Sequence, residues 1–506
     1  MFQSKKMGIT LSYVNTFLSM VFGIILSSYL IRALGDTEYG VYQTVTAFAN
    51  YLLILELGTG TITQRNVVIC YQNGDQEGID KTISTMWLIT IILSLAISVI
   101  SIFFYCSIDD LYRNTMSPDQ VQYAKKIFFF FMGNLLLTFL TQTLNGYTLG
   151  VKKFSFAQIT KLAKAVMRTI TIIGITVFYR HSIVIAAVDF LLSLVCFLLT
   201  FNFCRRKCSM HIRISLFDKS IIAESLPLCL ALLLQSVIQQ ANNSVDKVII
   251  GAKLSVASVA VYSVAQYIYS IFVSVMIAPV TMYLPQVAKD LNKGLNKHHF
   301  TDTLIQPTRL ISLISGIILF GFIAVGKQFV IIFYGIEKVQ AWVYALVLIV
   351  PLFLSMTNGV VINILDITKK RLIRSLVLFG ITLVNIILTW IWVNRFGVIG
   401  AVMATAITMF VGQVIILNIY YDLALNIEIF RLYWIAYHKT IPILAASAAS
   451  AYWMSSFFSS PLMGMLAGGC LYVAAAAILL YKFSLTIPEK RLVSRYLNRL
   501  KRKSNK

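Results

Sequence analysis

The sequence predicts an all-α polytopic membrane protein with about fourteen transmembrane helices. Three observations carry this: long apolar runs, scarce charge, and basic residues clustered in alternate loops. A helix needs roughly 20 apolar residues to cross about 30 Å of hydrocarbon. Leu11 to Ile31, Met86 to Cys106, Phe128 to Thr148, Ile311 to Phe333 and Leu376 to Val393 meet that length. Of 506 residues, 58% are hydrophobic and 12% charged, too few charges to cover a soluble surface. No loop is long enough for a separate folded domain.

The net charge of +23 would suggest nucleic acid in a soluble chain, but its placement excludes that. With Lys5 and Lys6 inside, the basic loops are Lys152 and Lys153, Arg205 to Lys207, Lys289 to Lys297 and Lys369 to Arg374, followed by the tail from Lys482 to Lys506. About 33 of the 43 Lys and Arg residues then lie inside, the asymmetry of the positive-inside rule. Both termini are expected in the cytoplasm, with an even number of spans. The first run lacks a small-residue cleavage site after it and reads as a retained span rather than a signal peptide. Cys204 and Cys208, in the loop C-R-R-K-C-S-M-H, read as reduced thiols rather than a zinc site.

Along the chain, the first span carries Ser12, Asn15, Ser19, Gly23 and Ser27 in one line, suited to helix packing or to cavity lining. Arg32 at its outer end and Arg65 just past the second span are candidate substrate contacts or interfacial anchors. In the fourth span Asn134, Thr138, Gln142 and Asn145 share a face. In the fifth, Lys161, Lys164, Arg168 and Thr171 form a cationic stripe climbing from the cytoplasmic surface. Such a stripe suits phosphate, with Lys as point charge and Arg as two-point partner; snorkelling is the alternative, strongest for Lys161. The sixth span buries Asp189, and Asp366 ends the tenth. The seventh aligns Gln235, Gln239, Asn242 and Asp246 at four-, three- and four-residue steps. Amides or carboxylates facing lipid would cost a few kcal/mol each, so these stripes face protein or a watery cavity. Asp189, Asp246 and Asp366 are ion-coupling candidates, Asp366 also being placed to neutralise Lys369 or Lys370.

Prolines 227, 279, 285, 307, 351 and 442 sit in or at the ends of spans, with bending expected around the eighth and ninth. Two further spans, near Thr440 to Phe458 and Leu462 to Tyr481, precede an amphipathic tail with Leu492, Tyr496 and Leu500 on one side and Arg residues around the others. That tail is expected on the anionic leaflet. The chain repeats itself: Asn145-Gly146 with Asn358-Gly359, Lys152 with Lys369, Arg180 with Arg395, and Gly40-Val41-Tyr42 with Ala260-Val261-Tyr262, at offsets between 213 and 220 residues. The expected division is a six-helix lobe over 1–215, a second over 216–425, and two helices with a basic tail over 426–506. A parallel repeat of this kind is common in secondary transporters.

These residues resemble a family. Tyr29-Leu-Ile-Arg-Ala-Leu-Gly35 continuing to Tyr39-Gly-Val-Tyr42, then Val245-Asp-Lys-Val-Ile-Ile-Gly251 leading to Val261-Tyr262, then Asn385 followed by Phe396-Gly-Val-Ile-Gly-Ala401, are similar to segments of bacterial oligosaccharide-lipid flippases of the multidrug/oligosaccharidyl-lipid/polysaccharide (MOP) exporter superfamily. The likeness covers roughly residues 8 to 425 and rests on the order and spacing of short motifs. It implies two lobes in a V around a central cavity, a bacterial cell membrane, and alternating access carrying an undecaprenyl-diphosphate-linked oligosaccharide to the outer leaflet for capsule or O-antigen assembly. A diphosphate carries about two charges, so a potential negative inside favours its exit by roughly 4 to 5 kcal/mol per 100 mV.

The expected partners are that lipid-linked oligosaccharide and membrane lipids, with polysaccharide polymerase and glycosyltransferases as candidates, and no nucleic acid. No cofactor, metal or catalytic residue is expected: a nucleotide-binding glycine loop, H-E-x-x-H and G-x-S-x-G are all absent. The alternatives within the fold are a cation-coupled multidrug antiporter and a peptidoglycan-precursor flippase. The alternative of another class is a membrane glycosyltransferase or polymerase, for which Asp109-Asp110 is the one inviting acidic pair.

Overall fold

Inside a bilayer no water is at hand for backbone N–H and C=O groups, so each span must satisfy its own by forming helix. The computed structural model describes residues 2–56, 58–112, 116–282, 297–367, 371–425, 427–486 and 489–490. Among these there are helices and no strand. In chain order they are α1 (Phe2–Ala49), α2 (Thr59–Asn73), α3 (Gln76–Tyr112), α4 (Pro118–Gly150), α5 (Phe154–Thr176), α6 (Ser182–Lys207), α7 (Lys219–Lys253), α8 (Val256–Met282), α9 (Lys297–Tyr334), α10 (Gln340–Met356), α11 (Gly359–Ile367), α12 (Arg371–Phe396), α13 (Val398–Met409), α14 (Leu417–Leu425), α15 (Ile429–Tyr437), α16 (Thr440–Ser456) and α17 (Pro461–Leu479).

Among the described residues, eleven helices are long and apolar enough to cross a membrane. At 48 residues α1 is far longer than one crossing needs, and it turns at Gly35, whose φ of 75° no other residue type adopts cheaply. Counting its two arms separately and adding α5, made polar by three cations, and α16 gives the expected fourteen. Large apolar side chains such as Phe103, Val99, Ile170 and Phe178 lie on the outside. In water such a surface would drive association; in lipid it is the ordinary exterior.

Among the described residues, the interruptions of helical geometry and the prolines lie at different places. Pro227, Pro307 and Pro351 sit inside continuous helices, whereas the second span changes to a 3₁₀ turn over Asn50–Glu56 and the tenth parts between Met356 and Gly359. Pro285, Lys369, Lys370 and the tail beyond Lys490 lie outside the described residues.

The chain groups into two compact units, one of residues 1–263 with 382–401 and one of 264–381 with 402–506. In the first, α4 begins at a capping box: Ser117 N donates to Gln120 Oε1 at 2.9 Å and Gln120 N to Ser117 Oγ at 3.3 Å, with Pro118 opening the helix. Glycines then let α2 and α4 touch backbone to backbone. A Cβ on Gly146 would lie 2.1 Å from the Gly60 carbonyl oxygen, and one on Gly60 would lie 2.8 Å from that of Gln142. Beside this seam a buried hydroxyl chain links three helices, Thr90 to Thr143 at 2.7 Å and Thr143 to Thr59 at 3.3 Å. Val67, Ile83, Leu144 and Tyr147 close one end of the bundle.

In the second unit, Phe300, Leu304, Ile311, Val361, Leu417 and Leu432 form one core cluster, and Leu313, Leu444, Ala448 and Tyr472 another that fastens the last two spans to α9. Arg309, 5% exposed, completes the attachment. Its guanidinium donates to Glu489 at 3.0 and 3.3 Å, to the Ile435 carbonyl at 2.9 Å and to the Ser484 carbonyl at 2.9 Å.

Candidate functional site

Two cavities adjoin within the first unit, sharing Thr138 and Gln142 of α4. The larger, of about 440 Å³, sets Lys161 and Lys164 of α5 opposite Gln142 and Asn145 of α4, with Ser193 and Cys196 of α6 beside them. Both the amide stripe of the fourth span and the cationic stripe of the fifth therefore open onto one space. The helical spacing that places residues three and four apart on one face is the local cause. The glycine seam on the α2 side of α4 keeps that helix in place.

The cationic stripe divides in two. Lys164 donates to Ser193 Oγ at 2.8 Å, and Ser193 in turn donates to Asn134 Oδ1. Arg168, one turn further, makes a two-point contact with Asp189: Nε to Oδ1 at 2.5 Å and a terminal nitrogen to Oδ2 at 2.9 Å. The phenol of Tyr42 accepts from the same guanidinium at 3.5 Å. Lys161, exposed at the cavity edge, and Lys164 thus remain the cations facing the space, while Arg168 and Asp189 neutralise each other.

The smaller cavity, of about 330 Å³, has Gln239, Gln240 and Asn243 of α7 facing Thr138 and Gln142, with Glu56 from the 3₁₀ turn. Gln239 is the member of the seventh-span stripe that reaches it. Gln235 is exposed on α7 and lines neither cavity, and Asn242 accepts from Thr382 at 3.3 Å. The stripe continues to Asp246, 2% exposed, which accepts from Tyr262 at 2.5 Å and from Thr389 at 3.2 Å. The neighbouring Lys247 donates to Gln43 at 3.3 Å. Arg32 is exposed on α1, and Arg65 is exposed on α2. The side chain of Asp366 lies outside the described residues.

Glu56, Gln240, Asn243 and Ser193 are site residues that the sequence reading passed over. Gln240 and Asn243 each follow a stripe residue by one position, so a wider arc of α7 would have included them. Elsewhere in this unit, Asp109 pairs with Lys125 as an ordinary surface carboxylate would. Among the described residues no group of three His, Cys, Asp or Glu side chains could hold a metal ion, and all seven cysteines are free thiols.

Residues 6–290 match a family described as polysaccharide biosynthesis protein. Comparison with curated proteins finds no match in sequence. Among solved structures, the chain is similar to a Lipid II flippase MurJ in an inward closed conformation, at 18% identity and a TM-score of 0.69 over 94% of this chain and 99% of that one. It is also similar to an inward-facing multidrug resistance MATE family transporter of the MOP superfamily, at 17% identity and a TM-score of 0.62 over 83% and 95%. A MATE in a bent conformation matches at 17% identity with a TM-score of 0.54 over 85% and 96%. These likenesses establish a MOP-type fold, and the family match, which spans more than half of the sequence, establishes that the chain belongs to the polysaccharide biosynthesis protein family.

Proposed function

We propose that the protein moves a lipid-linked oligosaccharide across the bacterial cell membrane, from the inner to the outer leaflet, by alternating access. The observation that carries this reading is the cavity in which Lys161 and Lys164 face Gln142 and Asn145. Two ammonium groups suit the phosphates of a polyprenyl diphosphate. Amides, which both donate and accept, suit the hydroxyls of a sugar. Arg168 and Asp189 hold α5 against α6 and so fix the angle at which Lys164 enters the cavity. Membership in a polysaccharide biosynthesis family, together with a fold shared with a Lipid II flippase and with MATE transporters, supports transport over bond formation.

Asp246, 2% exposed and accepting from Tyr262 and Thr389, is the carboxylate assigned to ion coupling here, because Asp189 is bound to the Arg168 guanidinium. The test is leaflet-resolved. Purified protein in vesicles containing fluorescent undecaprenyl-diphosphate oligosaccharides should raise the rate at which label becomes accessible to an outside quencher. Rates equal to protein-free vesicles for every glycan tried, with the protein folded, would reject the proposal. A new covalent bond between donor lipid and an added acceptor would instead assign it to the glycosyltransferase class.

A further inference from the structure

The two adjoining cavities differ in charge. One presents Lys161 and Lys164; the other presents a single carboxylate, Glu56, among amides and hydroxyls. Among the described residues no group hydrogen-bonds to or ion-pairs with the Glu56 carboxylate. Its position is built rather than incidental. The second span leaves α-helical geometry at Asn50, runs as 3₁₀ turn to Glu56, and starts α2 after Gly58, whose φ is 67°. A Cβ at Gly58 would lie 2.4 Å from Leu232 Cδ1, so α7 packs directly against this break. That packing brings Gln239, Gln240 and Asn243 of α7 around the same small space as Glu56.

We infer that Glu56 and its surrounding amides form a sugar subsite, distinct from the phosphate-facing lysines, that reads hydroxyl donors on the sugar next to the carrier diphosphate. An ionised carboxylate only accepts, and its two oxygens can take one hydrogen bond each from two adjacent hydroxyls. The amides answer the remaining hydroxyls and ring oxygens in either direction. Thr138 and Gln142, common to both cavities, mark where the phosphate end of the cargo meets its sugar end. This inference rests on the reading of the cargo as a lipid-linked glycan and adds how its glycan end is recognised.

The experiment measures equilibrium binding of undecaprenyl diphosphate alone, and of the same carrier bearing glucose, galactose or N-acetylglucosamine, to wild type, E56Q, Q239A and K164A. The isosteric E56Q keeps the shape of the side chain, and Q239A tests the same subsite from another helix. The expected result has three parts. At least one sugar binds wild type more tightly than the bare carrier does. E56Q weakens that sugar-bearing lipid by about tenfold, the loss expected for a hydrogen bond to a charged group, and Q239A weakens it by about threefold, as for a neutral one, while both leave the bare carrier unchanged. K164A weakens both ligands. If no sugar improves on the bare carrier while K164A still weakens it, the subsite is wrong and the phosphate reading stands. If wild type binds neither ligand, both fail together. E56Q weakening bare and glycosylated carrier equally would overturn the inference. Loss in E56Q of tetraphenylphosphonium binding seen in wild type, with glycolipid binding intact, would also overturn it and assign Glu56 to organic cations.

Discussion

Arg168 on α5 grips both oxygens of Asp189 on α6, at 2.5 and 2.9 Å, inside the span region. Charge reading alone would have given Arg168 to the cargo and Asp189 to a coupling ion; paired, they hold two helices together. Removing one partner strands the other, so Asp189→Ala is expected to destabilise the protein by roughly 2 to 4 kcal/mol, somewhat less than for a fully buried pair because Arg168 is 33% exposed. Arg168→Met with Asp189→Leu should regain most of that loss, read as melting temperature in detergent. A double variant as unstable as Asp189→Ala would show that the pair does more than neutralise itself.

The seam between α2 and α4 predicts a contrast among glycines. Gly146→Ala forces a Cβ to within 2.1 Å of the Gly60 carbonyl, so the helices must separate and stability should fall by about 1 to 3 kcal/mol. Gly174→Ala, on α5 with open space around it, should be neutral or gain up to about 1 kcal/mol. Cargo binding should weaken in the first variant, whose site helix moves, and hold in the second.

Asp246 is buried and accepts hydrogen bonds from Tyr262 and Thr389. Asp246→Asn is expected to abolish any stimulation of transport by an imposed proton or sodium gradient, each applied separately, while cargo affinity changes by less than about twofold. Gradient stimulation that survives in Asp246→Asn would move coupling elsewhere.

At the far end of the chain, Glu489 lies past the last span and receives Arg309 at 3.0 Å and the Thr486 N–H at 2.7 Å. Burial alone would raise its carboxyl, but these hydrogen bonds outweigh burial and hold it below the ordinary value of 4.5. A carboxylate depressed in the folded state contributes stability that is complete above its unfolded value and is lost as pH falls through the folded one. Wild type should therefore lose melting temperature below about pH 4.5 more steeply than Glu489→Gln, which should already be less stable at pH 7.

The spans were legible because bilayer thickness translates directly into the length of an apolar run, and the turn at Gly35 follows from glycine in a stretch too long for one crossing. The α4 stripe was legible for a similar reason: Asn134, Thr138, Gln142 and Asn145 stay in register along an unbroken helix, so a shared face follows from spacing. Glu56 was not, since the 3₁₀ turn over Asn50–Glu56 shifts the angular register midway and hides the carboxylate at the end of Leu52-Leu53-Ile54-Leu55. Partnership was also hidden. Periodicity says that Arg168 and Asp189 both avoid lipid, but only the packing of α5 on α6 says that they avoid it together.

Assignment of the lysine-lined cavity to the diphosphate is tested by the transport assay repeated with Lys161→Glu and Lys164→Glu combined, alongside Lys161→Arg with Lys164→Arg. Reversing both charges is expected to remove outward movement of a fluorescent undecaprenyl-diphosphate oligosaccharide while the protein stays folded, and the Arg pair to retain a substantial part of it. Transport at the wild-type rate in the folded double-Glu variant would contradict the assignment of this cavity to the diphosphate.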